Sequence, residues 1–199
     1  TRITLKFQNG FYGLDAALSW TNSNIIGNGK TATTLVFPST SGIVFNTTGY
    51  FTNFVFRDFG IIANLYCIDF YNTGGDRPNN VYQNTILNLS LCSETLHCVF
   101  AGDNRSQIND IMVFEQSFEG ITINAPSGSG FYGIGGLHII FKNINDTGSI
   151  KNIFENCFGK FIDVNTSFAG AEYFLLFNSS APFNDSIFTW SKSMYVESL

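Results

Sequence analysis

The segment Asn53-Phe54-Val55-Phe56-Arg57-Asp58-Phe59-Gly60 contains the pattern that decides the fold, a short Phe-rich strand bounded by Asn and Gly. Aromatic and β-branched residues favour strands, whereas Asn and Gly favour turns. Comparable strands recur along the chain, and their centres lie on average about 28 residues apart. The six strongest strands are predicted at Thr34–Phe37, Phe54–Phe56, Thr85–Leu89, Ile111–Phe114, His138–Phe141 and Phe174–Phe177.

Each repeat carries a second predicted strand, so one unit consists of two strands and their turns. A unit of this size cannot bury its own hydrophobic face, and successive units must therefore stack. The pattern predicts an all-β solenoid. The second strands are predicted at Gly42–Phe45, Leu65–Phe70, Leu96–Phe100, Gly120–Asn124, Phe161–Val164 and Ile187–Trp190.

The amphipathic segment Gly13–Trp20 predicts a short helix, because Leu14, Ala17 and Leu18 fall on one helical face. We expect this helix to cover the N-terminal end of the core, since a stack of strands must protect its terminal edges. The chain is predicted to form a single domain over residues 1–199. It comprises an N-terminal strand and capping helix (1–23), the coils (24–190) and a C-terminal tail (191–199).

The composition favours a long apolar core and argues against two classes of partner. The chain has 199 residues, of which 22 are Phe and 44% are hydrophobic, enough to fill an extended core. Only 13% are charged, and the net charge is −5. An acidic chain without a basic cluster lacks the electrostatic footprint of a nucleic-acid-binding protein. No apolar run reaches the roughly 18 residues that span a bilayer, so we expect no membrane span.

A turn segment carries a resemblance to a known family. Residues 24–35 read Asn-Ile-Ile-Gly-Asn-Gly-Lys-Thr-Ala-Thr-Thr-Leu, and the later segments Phe114–Ile121 and Phe154–Phe161 repeat a Phe-Glu pattern. Together they resemble the coils of the pectin-lyase-like superfamily. The resemblance covers most of the chain and implies a right-handed parallel β-helix of about six to seven coils. That superfamily includes polysaccharide lyases, glycoside hydrolases, phage tailspikes and passive adhesins, so the fold does not decide the function.

Two cysteines are predicted to lie one above the other. The tetrapeptides Leu-Tyr-Cys-Ile and Leu-His-Cys-Val align residue by residue, which places Cys67 and Cys98 in neighbouring coils. Parallel strands lie about 4.8 Å apart, and a disulfide accepts a Cα separation of this size. Inward cysteines also stack as small hydrophobic side chains without bonding. Both arrangements remain open, and stacked free thiols are the preferred interpretation.

The sequence contains no recognisable catalytic motif, and we predict no catalytic residue, metal or cofactor. Glu115 and Glu155 occupy equivalent places in the Phe-Glu repeats, so a column of the two is the best candidate for a carboxylate site. Outward strand positions are more often simply polar, and that interpretation is preferred. His138 is expected to point outward from an apolar strand. His97 is expected on the strand face opposite Cys98.

Seven Asn-x-Ser/Thr sequons are present, most of them at predicted turns, where glycans are tolerated. Glycosylation would indicate an extracellular or virion-surface protein. The alternative is that Asn, Ser and Thr serve only as turn residues. The candidate acceptors are Asn46, Asn88, Asn104, Asn145, Asn165, Asn178 and Asn184.

Two functions follow as hypotheses. The preferred one is a non-enzymatic structural or adhesion protein of an extracellular, cell or virion surface, a rigid β-helical module that self-associates and carries or binds glycans. Its C-terminal end carries no charged capping helix, which favours a homo-oligomer, filament or virion assembly. The alternative is a small polysaccharide lyase or glycoside hydrolase that acts on the outer face of the β-helix.

Overall fold

The structure is a computed structural model, and it describes most of the first 166 residues and two residues near the C-terminus. The described residues are 2–20, 22–45, 50–70, 80–101, 113–114, 116–134, 139–148, 152–155, 157, 160–166 and 193–194.

The described residues form an all-β fold of short strands joined by turns, without a helix. None of these residues belongs to a helix long and apolar enough to cross a membrane. In chain order the strands are β1 Ile3–Lys6, β2 Gly10–Gly13, β3 Leu18–Ser19, β4 Ser23–Ile26, β5 Thr33–Phe37, β6 Ile43–Val44, β7 Tyr50–Thr52, β8 Val55–Ala63, β9 Ile68–Asp69, β10 Asn80–Tyr82, β11 Thr85–Ser93, β12 Val99–Phe100, β13 Val113–Phe114, β14 Ser117–Glu119, β15 Thr122–Asn124, β16 Ser129–Tyr132, β17 Ile140–Asp146, β18 Asn152–Glu155, β19 Lys160–Thr166 and β20 Ser193–Met194.

These strands form three sheets whose neighbouring strands are parallel, apart from one antiparallel pair. The largest sheet follows the path β1-β4-β8-β11-β14-β17-β19-β20, and β2, β5 and β15 pair beside that path. A six-stranded sheet follows β3-β6-β9-β12-β16-β18, and a three-stranded sheet follows β7-β10-β13. The antiparallel pair is β19 with β20. Parallel strands require a crossover between partners, so the chain must leave each sheet before it returns.

The chain visits the three sheets in a repeating order. From β7 to β12 it passes through the small, the large and the six-stranded sheet, and then through the same three again. The register pairs Val55 with Thr85, Thr85 with Ser117, Ser117 with Ile140 and Ile140 with Lys160. The repeat therefore shortens toward the C-terminus.

The two nine-residue strands, β8 and β11, explain why the predicted alignment of strand centres needs correction. Each spans two segments, so β8 pairs with both β4 and β5, and β11 pairs with both β14 and β15. Leu35 consequently aligns with Ile61 instead of with Val55. The sequence period alone assigns the two halves of such a long strand to separate repeats, because it does not detect a bend inside one continuous strand.

Several other predicted strands lie in a different sheet from the one expected. Val113–Phe114 pairs with β10 in the small sheet. Thr122–Asn124 and Lys160–Thr166 both belong to the large sheet, although they were expected among the second strands. The segments Phe174–Phe177 and Ile187–Trp190 lie outside the described residues.

The predicted N-terminal helix at Gly13–Trp20 is wrong. The segment contains the end of β2 and the strand β3, which pairs with β6. Its backbone bonds to the next level of the stack: the Leu14 N–H donates to the Val36 carbonyl at 2.8 Å, and the Trp20 N–H donates to the Val44 carbonyl at 2.8 Å. A helix of this length is marginal alone, whereas an adjacent strand edge satisfies the same backbone groups.

Turns and bends recur at fixed positions because they use residues that tolerate positive φ. At the bend inside the long strands, Asp58, Asn88, Gly120 and Asn143 occupy one register column with φ between 52° and 69°. A second column, Asn22, Asn53 and Gln83, has φ of 54° to 58°. Asn, Asp and Gly adopt this conformation most readily. The Asn, Asp and Gly residues of these two columns are therefore required by the backbone conformation.

Phenylalanine rings fill the interior. Phe118 stacks on Phe141 at 5.3 Å, and Phe131 stacks on Phe154 at 5.3 Å. The two stacks meet edge to face, with Phe131 5.1 Å from Phe141. Offset stacks and edge-to-face contacts are the favoured aromatic geometries. The ring columns therefore hold successive levels of the sheets in register.

Candidate functional site

The edge formed by β1 and β2, here called the first edge, exposes part of the apolar core. Leu5 pairs with Ile25, and Ile25 pairs with Phe56. Ile25 and Phe56 are fully buried, but Leu5 is 37% exposed although it occupies the same inward column. Ile3, two residues earlier on the same face, is 66% exposed. Within the described residues, the core column therefore ends here against solvent.

The first edge is anchored to the levels behind it. The Arg2 guanidinium donates to the Asn22 side-chain oxygen at 2.8 Å and to the Thr52 carbonyl at 2.7 Å, and it also bonds the Asn53 carbonyl. Phe7 packs edge to face on Tyr12 at 5.1 Å. The strands that carry the exposed apolar side chains are therefore held in place by these contacts. Sequence reasoning missed Arg2, because one Arg in a polar segment carries no periodic signal.

The opposite end of the large sheet differs. β20 pairs antiparallel with β19, with Val164 opposite Met194 and Asn165 opposite Ser193. The sequence indicated the C-terminal end as the open one. In the described residues the antiparallel β20 pairs with two residues of β19, and exposed apolar side chains lie at the first edge.

Four aromatic side chains form an outer stack, here called the aromatic ladder: Tyr66, His97, Phe100 and Tyr132. Tyr66 stacks on Phe100 at 4.4 Å with planes 10° apart, and His97 stacks on Tyr132 at 4.4 Å. Phe100 and Tyr132 are 7% and 5% exposed, whereas Tyr66 and His97 are half-buried. The rings turn their faces to one another, so the ladder stiffens the six-stranded sheet.

His97 also takes part in a backbone contact. Its Nδ1 accepts the Ser129 N–H at 3.0 Å, between the turns that precede β12 and β16. Cys98 is buried in the core while His97 lies in the outer ladder. The two side chains thus belong to different layers.

Several polar side chains lie around the bend of the large sheet. The Asn88 side-chain N–H donates to the Asp58 carboxylate at 2.7 Å, and Arg57 lies 3.7 Å from the same carboxylate. The Lys30 ammonium donates to Thr122 Oγ1 at 3.0 Å, so it crosses β8 and β11 to reach β15. The contacts of Asn88 with Asp58 and of Lys30 with Thr122 join different levels of the stack. They leave each charged group engaged by a fixed neighbour.

The proposed carboxylate column of Glu115 and Glu155 stays a prediction, because Glu115 lies outside the described residues. Phe114, which precedes Glu115, lies in the small sheet, whereas Glu155 ends β18 in the six-stranded sheet. Glu115 and His138 themselves lie outside the described residues. Across the described part of the chain, no group of three or more His, Cys, Asp or Glu side chains is arranged to hold a metal ion.

Cys67 and Cys98 occupy adjacent levels, as the aligned tetrapeptides indicated. Both are fully buried, and the Cys67 N–H donates to the Cys98 carbonyl at 3.0 Å. Burial, followed by a hydrogen bond with Cys98, raises the pKa of the Cys67 thiol well above its usual value. The preference for free thiols over a disulfide stays a prediction.

Thiol reagents should distinguish the four cysteines. Cys92 is half-buried, whereas Cys67, Cys98 and Cys157 are buried, and a thiol must be accessible and ionised to react. We expect Cys92 to react with iodoacetamide at least about tenfold faster than the others in the folded protein. Peptide mass mapping measures each rate. Equal labelling of Cys67 and Cys92 under native conditions would contradict this ordering.

Three sequons fall within described strands instead of at turns. Asn145 in β17 is exposed, and Asn165 in β19 is its register partner. The Asn88 amide is bound to Asp58 inside the bend. Asn46, Asn104, Asn178 and Asn184 lie outside the described residues.

Comparison of this chain with protein-family models, with curated proteins and with solved structures gives no match. The likeness to the pectin-lyase-like superfamily therefore rests on the quoted residues alone.

Proposed function

We propose that the chain is a right-handed parallel β-helix that works as a rigid, non-enzymatic structural or adhesion module on an extracellular, cell or virion surface. The repeated visits to three parallel sheets support the helical path, and the known preference of parallel crossovers supports its hand. The aromatic columns and the cross-level polar contacts support rigidity. The exposed Asn145 supports a glycan-bearing exterior.

The observation that carries this proposal is the first edge. Ile3 and Leu5 are apolar, exposed and continuous with a buried core column. Parallel edge strands with apolar side chains pair readily with a further strand. In this proposal two copies meet through their first edges. Because such an interface is isologous, the two β1 strands run antiparallel across a twofold axis.

The test is the native mass of the full chain, measured by light scattering over a range of concentrations. We expect an oligomer for the wild type, and for Ile3→Glu a self-association affinity weaker by at least about tenfold. Thr4→Glu is the matched control, since Thr4 lies on the same strand with its side chain on the other face and is also exposed.

Either of two results would contradict the proposal that the chain self-associates through the first edge. The first is a wild-type monomer at all concentrations. The second is equal weakening by Ile3→Glu and Thr4→Glu, which would point to charge repulsion in general.

A further inference from the structure

The contact between His97 and Ser129 joins two stacked turns. The first turn, residues 94–97, precedes β12, and the second, residues 125–128, precedes β16. The turns approach closely: a Cβ on Gly128 would lie 2.0 Å from the Leu96 carbonyl oxygen. The Ser129 N–H donates to His97 Nδ1, and the Cys98 N–H donates back to the Ser129 carbonyl at 3.1 Å. The turns are therefore bonded in both directions.

The direction of the first bond determines the protonation state of the ring. Because Nδ1 accepts a hydrogen bond, the proton of the neutral imidazole is on Nε2. An imidazolium carries protons on both nitrogens and accepts no hydrogen bond. Ser129 is fully buried, so its N–H would then face a second N–H inside the protein. A buried N–H without its acceptor is costly.

We propose that His97 is an acid-sensitive clasp: protonation at Nδ1 breaks the bond to Ser129 and loosens the turn before β16 from the turn before β12. An unperturbed histidine changes charge between about pH 5 and 8, so acidification from neutral pH is expected to weaken the clasp. The imidazolium keeps favourable contact with the faces of Tyr132 and Phe100, which accept a cation. The ring therefore stays in the aromatic ladder while the backbone bond is lost.

Phenols, a thiol and carboxylates of the described residues lie near His97. Tyr66 and Tyr132 are the titratable side chains stacked in the ladder, and phenols ionise near pH 10. Cys98 follows His97 in the chain but is buried in the core, and Glu94 lies exposed three residues before it. Asp69 is the register partner of Phe100 in the outer column, and carboxylates titrate near pH 4. The ordinary pKa values of phenols and carboxylates lie outside pH 5 to 7.5, so the test below spans that interval.

Amide hydrogen exchange of the full chain tests this clasp. We expect the protection of the Ser129 N–H, relative to an unstructured peptide at the same pH, to fall about tenfold between pH 7.5 and 5. The Trp20 N–H, bonded to the Val44 carbonyl in the same sheet, serves as the internal reference and should not change. An equal loss of protection at Trp20 and Ser129 would overturn the proposal, because it would indicate general loosening.

Two variants distinguish the effect of the hydrogen-bond acceptor at Nδ1 from the effect of the stacked ring. His97→Asn places a side-chain oxygen near the position of Nδ1, and this acceptor does not titrate. We therefore expect the Ser129 N–H to stay protected at both pH values. His97→Phe keeps the ring stack and removes the acceptor, so Ser129 should exchange rapidly at both. His138→Asn, which replaces the chain's other histidine, is the control and should behave like the wild type. A pH response that persists in His97→Asn would overturn the proposal, and this comparison does not require His97→Phe to fold.

Discussion

Replacement of Gly128 by Ala is expected to destabilise the protein by about 3 kcal/mol. The added Cβ would lie 2.0 Å from the Leu96 carbonyl oxygen and 2.5 Å from its carbonyl carbon. Both atoms belong to the backbone of the neighbouring level, so a rotamer change cannot relieve the collision. Relief requires the two turns to move apart, which would break the bonds between Ser129 and the 94–98 segment. Urea unfolding followed by circular dichroism measures the loss.

Gly13→Ala is the matched control, because a Cβ at Gly13 would meet no heavy atom within 4 Å. Its free energy of unfolding should stay within about 0.5 kcal/mol of the wild type. Gly42→Ala, whose Cβ would approach the Cys67 carbonyl oxygen to 2.5 Å, should fall between the two. If Gly128→Ala and Gly13→Ala unfold at the same urea concentration, the close approach of the levels is wrong.

Truncation of Phe45 to Ala is the second large effect, with an expected loss of about 3 to 5 kcal/mol. Phe45 is fully buried where rings from several levels meet. Its ring lies 4.8 Å from that of Trp20 and 4.8 Å from that of Phe70, and it also contacts the rings of Phe51 and Phe54. Removal leaves a cavity lined by rigid rings that collapse poorly, so the cost should be at the upper end. Thermal unfolding should show a clear fall in Tm.

Phe11→Ala makes the same chemical change at a ring that is 77% exposed. Compared at a protein concentration where both variants have the same association state, it should lower the unfolding free energy by less than about 0.5 kcal/mol. A Phe45→Ala loss below 1 kcal/mol would mean that the ring cluster around Trp20 does not support the fold. Phe45→Leu retains much of the buried volume and should show a smaller loss than Phe45→Ala.

The strand content was predictable because it depends on local chemistry. Predicted strands such as Thr34–Phe37 and Thr85–Leu89 are strands in the structure, and Asn residues such as Asn53 and Asn88 adopt positive φ at turns and bends. The neighbouring position of Cys67 and Cys98 was equally readable, since their flanking residues repeat at the interval of one level. These features require no knowledge of distant contacts.

The sequence by itself determined an all-β chain with a Phe core and repeated turns, because periodicity and turn chemistry act over a few residues. Tertiary structure decided the rest. Residues 18–20 bond to the edge of the next level because the Gly42 and Val44 carbonyls offer backbone acceptors. Leu35 aligned with Ile61 because β8 bends at Asp58 and continues. The first edge, the reach of Lys30 to Thr122 and the bond between His97 and Ser129 likewise join residues far apart in the chain. Their partners are chosen by the register of stacked levels, which no local pattern encodes.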